Sequence, residues 1–365
     1  MNQPANPSPR IFIIDDSALV RRVLTDALRK EGLFVMGSAA DPIFALKRME
    51  RDWPDVIVLD MEMPRMDGLT FLRKIMKERP TPVIVCSTLT EQGAKLTLDA
   101  MAAGAVSVFT KAQQGIGESL QRLQKDLARA VKEACRARPK CSSTVVAAPI
   151  TDVIPPADSP VSYRTTDRLV AIGTSTGGTQ ALEAVLSVLP AGSPGILIVQ
   201  HMPEKFTAAF AKRLDSVCRI QVREACDGDR VHAGLALIAP GGRHMQVIRS
   251  GAQYRVRIID GPAVSRHKPS VDVLFRSVAQ AAGQNATGII MTGMGDDGAR
   301  GLKTMRDSGA HTVAQDEKSC VVFGMPREAI RMEAAAAVRP LSQIPQVIMA
   351  ADSGAPARAS SRAAS

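Results

Sequence analysis

The chain has 365 residues, of which 45% are hydrophobic and 22% charged. That length exceeds what one core usually serves, about 250–300 residues, so two domains are expected. Aromatic residues make up 3%, too few for a base-stacking surface, and no nucleic acid partner is expected. The net charge of +10 gives a basic surface without selecting a partner.

The six cysteines, Cys86, Cys135, Cys141, Cys218, Cys226 and Cys320, show no C-x-x-C spacing. They read as reduced thiols of a cytoplasmic protein. The opening MNQPANPSPR is polar and unlike a signal peptide. No apolar run reaches the roughly 20 residues of a membrane span, so no membrane insertion is expected.

In chain order, residues 9–136 alternate short apolar runs with helical patterns. IFII (11–14) precedes a helix with Leu19/Val20, Val23/Leu24 and Ala27/Leu28 on one face. VIVL (56–59), PVIVCS (82–87) and AVSVF (105–109) are further buried-strand candidates. The alternation predicts a parallel doubly wound α/β sheet. Residues 137–166 contain five prolines and no periodic apolar pattern, as a linker does. Residues 167–350 repeat the alternation with LVAIG (169–173), GILIVQ (195–200), LALIAP (235–240) and TGIIMTG (287–293). They predict a second doubly wound α/β domain. The last segment, 351–365, is polar and small-residue-rich and reads as a disordered tail.

In the first domain, IFII ends in Asp15-Asp16, VIVL in Asp60, PVIVC in Ser87 and AVSVF in Thr110-Lys111. Functional groups of an open parallel sheet gather beyond the carboxyl ends of its strands. Each residue alone has a plainer reading, since Asp and Ser cap helices and Lys111 suits a surface. Together they predict a pocket of three carboxylates, a hydroxyl and an ammonium. Three close carboxylates repel unless a cation is present, and an all-oxygen donor set suits Mg²⁺.

D-D-S after the first strand, L-D-M-E-M-P-R-M-D-G (59–68), S-T after PVIVC and T-K after AVSVF together resemble a response-regulator receiver domain, with a flavodoxin-like fold. The resemblance covers roughly 10–128. It implies that Asp60 accepts a phosphoryl group from a histidine kinase. Asp15, Asp16, Asp60 and the carbonyl of Glu62 would surround Mg²⁺, and Ser87 and Lys111 would act as switch residues reading the phosphoryl group. Ala112 stands where receivers usually carry proline.

In the second domain, G-T-S-T-G (173–177) fits the G-x-S-x-G pattern of a nucleophile on a strand-to-helix turn. Alone it is also a plain turn. A serine nucleophile needs a base, and the chain has five histidines, His201, His232, His244, His267 and His311. His201 follows GILIVQ directly and so lies at the same sheet edge as Ser175. The other four lack such a position, and structural or substrate-contact roles are expected for them. The orienting acid is Asp296 or Asp297 in M-T-G-M-G-D-D-G (291–298). A metal-loop reading of that stretch lacks His, Asp or Glu partners at ligand spacing nearby.

A-I-G-T-S-T-G-G-T-Q-A-L, V-Q-H-M-P-E-K-F, I-A-P-G-G-R-H-M, K-P-S-V-D-V-L-F-R-S, M-T-G-M-G-D-D-G-A and Q-D-E-K-S-C-V-V-F-G-M-P are similar to the catalytic domain of the chemotaxis protein-glutamate methylesterases, the CheB family, across about 169–330. The receiver–linker–esterase order matches as well. The resemblance implies a Rossmann-like methylesterase domain with Ser175 as nucleophile, His201 as general base and Asp297 as orienting acid, Asp296 being the variable position of G-M-G-x-D-G. Thr176 and Met294 would supply oxyanion N–H groups. It implies a phosphorylation-activated hydrolase of glutamate methyl esters, and of glutamine amides, on chemoreceptors. No cofactor is expected in the catalytic domain. The unphosphorylated receiver would restrain the esterase.

Overall fold

The computed structural model describes residues 8–63, 65–87, 90–110, 118–139, 168–204 and 206–353, the side chains of 91–92, 110, 118–123 and 352–353 aside. The chain divides into two compact units, Met1–Val146 and Ala147–Ser365.

The first unit runs β1 (Arg10–Ile14), α1 (Ala18–Lys30), β2 (Phe34–Ala39), α2 (Pro42–Met49), β3 (Val56–Asp60), α3 (Gly68–Glu78), β4 (Val83–Ser87), α4 (Glu91–Ala102), β5 (Ser107–Thr110) and α5 (Glu118–Ala134). Its sheet has the order β2-β1-β3-β4-β5, and every pair is parallel. β3 and β4 are buried at every residue. Central strands of a parallel sheet are covered on both faces, which explains their unbroken apolar runs. The helices on the two faces are amphipathic, and Phe71, Leu72, Ile75 and Met76 of α3 pack into the core with Ile57 and Leu59 of β3. One expectation for α1 fails: Leu19 is 71% exposed, and the buried face is Leu24, Ala27 and Leu28. Leu19 belongs to the first turn, which starts at the sheet edge where there is little to pack against.

The second unit runs β6 (Leu169–Thr174), α6 (Gly178–Leu186), β7 (Gly195–Gln200), α7 (Phe206–Val217), β8 (Gln221–Glu224), β9 (Arg230–Val231), β10 (Leu235–Ile238), β11 (His244–Ser250), β12 (Gln253–Ile259), α8 (Val271–Ala282), β13 (Ala286–Ile290), α9 (Ala299–Asp307), β14 (His311–Gln315), α10 (Met325–Arg331), β15 (Ala337–Arg339) and α11 (Ile344–Ser353). Seven strands form one parallel sheet in the order β15-β14-β13-β6-β7-β10-β8. β9, β11 and β12 form a separate antiparallel sheet that the doubly wound pattern did not include. Its inward residues, Met245, Val247, Tyr254 and Val256, join the main core. Helix α11 runs to Ser353, three residues past the expected boundary at 350, because Ala351 is still buried at 8%. Among the described residues no helix is long and apolar enough to cross a membrane.

β6 sits between β7 and β13. The chain fills one side of β6 first, through β7 and β10, then returns to fill the other. The end of β6 is therefore a topological switch point, where loops diverge and leave a crevice. In the first unit the same geometry falls between β1 and β3.

Candidate active site

Ser175 is the first residue beyond β6, and His201 the first beyond β7. The last paired residues of those strands are Thr174 and Gln200, so Ser175 and His201 leave the sheet side by side. Gln200, buried, ties them together. Its Nε2 donates to the carbonyls of Ser175 at 2.9 Å and His201 at 3.1 Å, and its Oε1 accepts from Thr174 Oγ1. His201 N–H donates to Thr174 O at 3.1 Å.

The other neighbour of β6 holds the serine turn in place. Ser175 N–H donates to Thr292 O at 3.0 Å, and Thr292 Oγ1 donates to Thr176 O at 2.9 Å. Gly293 lies so close that a Cβ there would meet Ser175 Cβ at 2.8 Å and Met325 Sδ at 2.3 Å. Gly177 has φ +78° and packs on Val321. Only glycine serves there at low cost, since an L side chain would be both strained and clashing. Gly177 is thus needed by the bend itself, and Gly173 by the approach of Val271, whose Cγ1 a Cβ would meet at 2.2 Å.

Asp297, fully buried, follows β13 in the loop before α9. Its Oδ2 accepts from His201 Nε2 at 2.8 Å and from Val271 N–H at 2.8 Å. Its Oδ1 accepts from Ser270 Oγ at 2.8 Å and from Asp272 N–H at 3.1 Å. The carboxylate therefore caps the N-terminus of α8 from across space, where the helix dipole favours negative charge. Burial pushes its pKa up, but the hydrogen bond and charge of His201, with the Ser270 and Val271 donors, outweigh burial and hold it below the ordinary value of 3.8. An ionised Asp297 requires the proton of His201 to sit on Nε2. Nδ1 is then the basic nitrogen, and among the described residues it is buried with no hydrogen-bond partner.

Asp296 is excluded from this network. It is half exposed and pairs with Arg266 at 3.5 Å. The two-way choice left open by the local sequence is resolved by geometry in favour of Asp297 as the partner of His201. Thr176 is buried beside the serine, at the start of the turn into α6. Met294 follows Gly293, whose carbonyl accepts from the N–H groups of Gly324 and Met325 at 3.0 and 2.8 Å.

Two histidines behave differently from each other. His244 is buried and structural: its Nδ1 accepts from Ser270 N–H at 3.2 Å and its Nε2 lies 3.0 Å from Pro262 O. His267, placed away from the strand ends by sequence, instead stacks on His201. The expectation that the Asp297 loop has no metal-ligand partners nearby does not hold. In fact ligand atoms of His201, His267 and Asp297 lie within 4.8 Å of one another, because folding joins residues far apart in sequence. Four donors already occupy the two oxygens of Asp297, so Asp297 and His201 read as a hydrogen-bonded pair with His267 stacked on the imidazole. Gln200, Ser270 and Thr292 were missed as well, since their residue types carry no signal outside the fold.

In the first unit, Asp15 and Asp16 follow β1 and Asp60 ends β3, at the switch point. Their carboxylate oxygens lie within 4.8 Å of one another, with Asp15 and Asp60 buried. A compact set of hard oxygen donors fits Mg²⁺. Gly68 lets the following helix approach, since a Cβ there would meet Asp60 O at 2.4 Å. Ser87 is buried at the end of β4 and donates to Gly93 O at 3.1 Å. Glu62 is exposed, and its N–H donates to Asp60 Oδ1 at 3.4 Å. Lys111 and Ala112 lie outside the described residues.

An acidic receiver site on one unit and a Ser/His/Asp edge on the other define the class: a response regulator with an enzymatic output domain. The comparisons agree. Residues 11–122 match the response regulator receiver domain and 170–348 match CheB methylesterase. The chain is 60% identical to the protein-glutamate methylesterase/protein-glutamine glutaminase 2 of Shewanella denitrificans, over 93% of this chain and 98% of the relative. The protein of the same name from Dechloromonas aromatica is also 60% identical, over 93% and 97%. The CheB methylesterase catalytic domain of Thermotoga maritima superposes with a TM-score of 0.50 at 34% identity, covering 51% of this chain and 98% of that one. The chain belongs to the CheB methylesterase family.

Proposed function

We propose that this protein is a phosphorylation-activated protein-glutamate methylesterase and glutaminase of chemotaxis, acting in the cytoplasm on methyl-accepting chemoreceptors. Hydrolysis runs through Ser175, His201 and Asp297. The observation that carries this reading is the buried, unbonded Nδ1 of His201, opposite a nitrogen held by Asp297 and beside the serine turn.

His201 Nδ1 takes the hydroxyl proton as Ser175 Oγ attacks the carbonyl carbon of the glutamate methyl ester. The C=O electrons move to oxygen, and the N–H groups of Thr176 and Met294 receive that oxyanion. Asp297 stabilises the imidazolium that forms. Collapse of the intermediate breaks the C–O bond to methoxide, which takes the proton from His201 and leaves as methanol. Water then attacks the acyl-enzyme, giving its proton to Nδ1, and glutamate and Ser175 are regenerated. Glutamine follows the same path with ammonia as leaving group. Each turnover restores a negative charge to the receptor, which biases its signalling equilibrium.

Control lies in the receiver unit. Asp60 accepts a phosphoryl group from a histidine kinase, with Ser87 and Lys111 as switch residues. Asp15, Asp16, Asp60 and the Glu62 carbonyl would hold Mg²⁺, which would neutralise charge on the transferring group. The test is methanol release from methylated receptor membranes by the full-length chain with acetyl phosphate. Release is expected; its absence, with a phosphorylated receiver verified by mass, overturns the reading.

A further inference from the structure

The imidazole of His267 lies face to face with that of His201, with ring centroids 3.7 Å apart and planes 4° apart. A turn the backbone does not adopt readily makes this contact. Val264 and His267 exchange both backbone hydrogen bonds, at 2.9 and 3.1 Å. Between them, Ser265 has φ +50° and Arg266 has φ +68°. Primed hairpin turns need positive φ at both central residues and usually take Asn-Gly, because a Cβ crowds the backbone there. A serine-arginine pair in that conformation is strained, and it persists only where surroundings over-determine it.

The surroundings are on hand. Ser265 Oγ donates to Asp272 Oδ2 at 3.2 Å, and Asp272 is buried at the start of α8. The other oxygen of Asp272 accepts from Gly301 N–H at 2.6 Å. His267 Nδ1 lies 2.7 Å from Ser265 O; a carbonyl only accepts, so Nδ1 carries the proton and the ring orientation is set. The anchor of the turn, Asp272, also donates its own N–H to Asp297. One end of α8 thus fixes both the acid that holds the edge of His201 and the turn that covers its face.

We propose that His267 is a positioning residue for His201, acting through the stacked ring face. The proposal rests on His201 being the general base. Asp297 fixes one in-plane point of the imidazole, and rotation about that hydrogen bond still swings Nδ1. A flat ring at stacking distance fixes the plane. The two restraints together aim the Nδ1 lone pair. The π cloud of the stacked face also lies against the imidazolium formed on proton transfer. Parallel rings direct their in-plane lone pairs along parallel planes, which do not converge on one ion, so the stack serves orientation.

The test uses the full-length chain with acetyl phosphate and methylated receptor membranes, comparing wild type with His267→Ala, His267→Leu, His267→Phe and Ser175→Ala. A displacement of about 1 Å in a reacting group costs about 10²-fold. His267→Ala and His267→Leu are therefore expected to lower kcat roughly 10- to 100-fold, with KM within about twofold. His267→Phe, which keeps a flat face, should recover most of the rate. Ring ¹⁵N spectra should report the Nε2–H tautomer of His201 in wild type and in each His267 variant, because Asp297 fixes the tautomer and His267 only the plane. Unchanged kcat in His267→Ala, a loss confined to KM, or a His267→Phe as slow as His267→Ala overturns the proposal. Activity in Ser175→Ala overturns the hydrolase reading instead, so the two failures are distinguishable.

Discussion

His201 donates from Nε2 to Asp297 Oδ2 at 2.8 Å, while its buried Nδ1 has no hydrogen-bond partner among the described residues. In the serine proteases that define the triad, Nδ1 faces the acid and Nε2 the nucleophile. Here the nitrogen that faces the carboxylate is Nε2. That follows from the fold: His201 reaches back from the end of β7, and Asp297 approaches from beyond β13, on the far side of β6. The proposed roles are compatible with this arrangement, because each needs only one donor nitrogen and one acceptor nitrogen.

Replacing Ser175 by alanine should abolish ester hydrolysis and leave the fold intact. Loss of a triad nucleophile costs ~10⁴–10⁶ in rate. Among the described residues the hydroxyl makes no hydrogen bond, and the N–H and carbonyl of Ser175 hold the turn. Methanol release, with the melting temperature as control, decides. Activity within tenfold of wild type would sink the assignment.

Asp297→Asn should be far more harmful than Asp296→Asn. A neutral amide stabilises no imidazolium and presents an N–H among four donors, and an Asp-to-Asn change in one measured triad cost ~10⁴. Asp296, half exposed beside Arg266, should change the rate less than about threefold, since exposed pairs contribute little. Equal losses in the two variants would show that the acid has been misassigned.

Gln200→Leu should impair both stability and rate. The substitution leaves the buried His201 carbonyl without its amide donor, and Ser175 O keeps only Gly178 N–H. An unpaired buried acceptor costs about 1–3 kcal/mol, and a domain of this size loses about 2–4 °C of melting temperature per kcal/mol. The untied strand ends should lower kcat more than KM. A melting temperature and kcat both equal to wild type would remove Gln200 from the positioning network.

The two neighbouring aspartates should tilt stability against pH in opposite directions. Asp297 is held below its ordinary value of 3.8, so its contribution is present above about pH 4 and is lost as pH falls through its lower folded value. Asp272 is pushed above 3.8, first by burial and then by the charge of Asp297. Its contribution is largest below about pH 4 and is lost as pH rises through its folded value. The deficit of Asp297→Asn should shrink from pH 6 to pH 3, while Asp272→Asn should gain on wild type as pH rises from 4 to 7. Calorimetry of the second domain would show this, and parallel pH curves for all three proteins would contradict it.

Asp60→Asn should leave the full-length enzyme at its basal rate and insensitive to acetyl phosphate. Removal of residues 1–136 should raise basal activity if the receiver restrains the esterase. A coupling of ~1–3 kcal/mol gives about 5- to 150-fold stimulation in wild type. Lower activity on truncation, with no phosphodonor effect on wild type, would show that the receiver is not inhibitory.

The sequence by itself determined which residues stand at strand ends. Buried parallel strands are continuous apolar runs, so Asp15, Asp16, Asp60, Ser87, Ser175 and His201 are legible as the polar residues that terminate them, and β7 matches its predicted span at 195–200. The outer strands of the sheet and the antiparallel elements were not legible. β8 (QVRE) and β14 (HTVAQ) carry little apolar signal, and β9 has two residues that pair only because β12 lies beside them. Only the tertiary structure decided that Asp297 caps α8 while gripping His201, that Gln200 stitches two strand ends, and that a strained turn lays His267 on His201. Each of these is a contact between segments remote in sequence. Local propensity and periodicity encode the strands, but the order in which strands become neighbours, and hence which loops share an edge, is fixed by packing of the whole sheet.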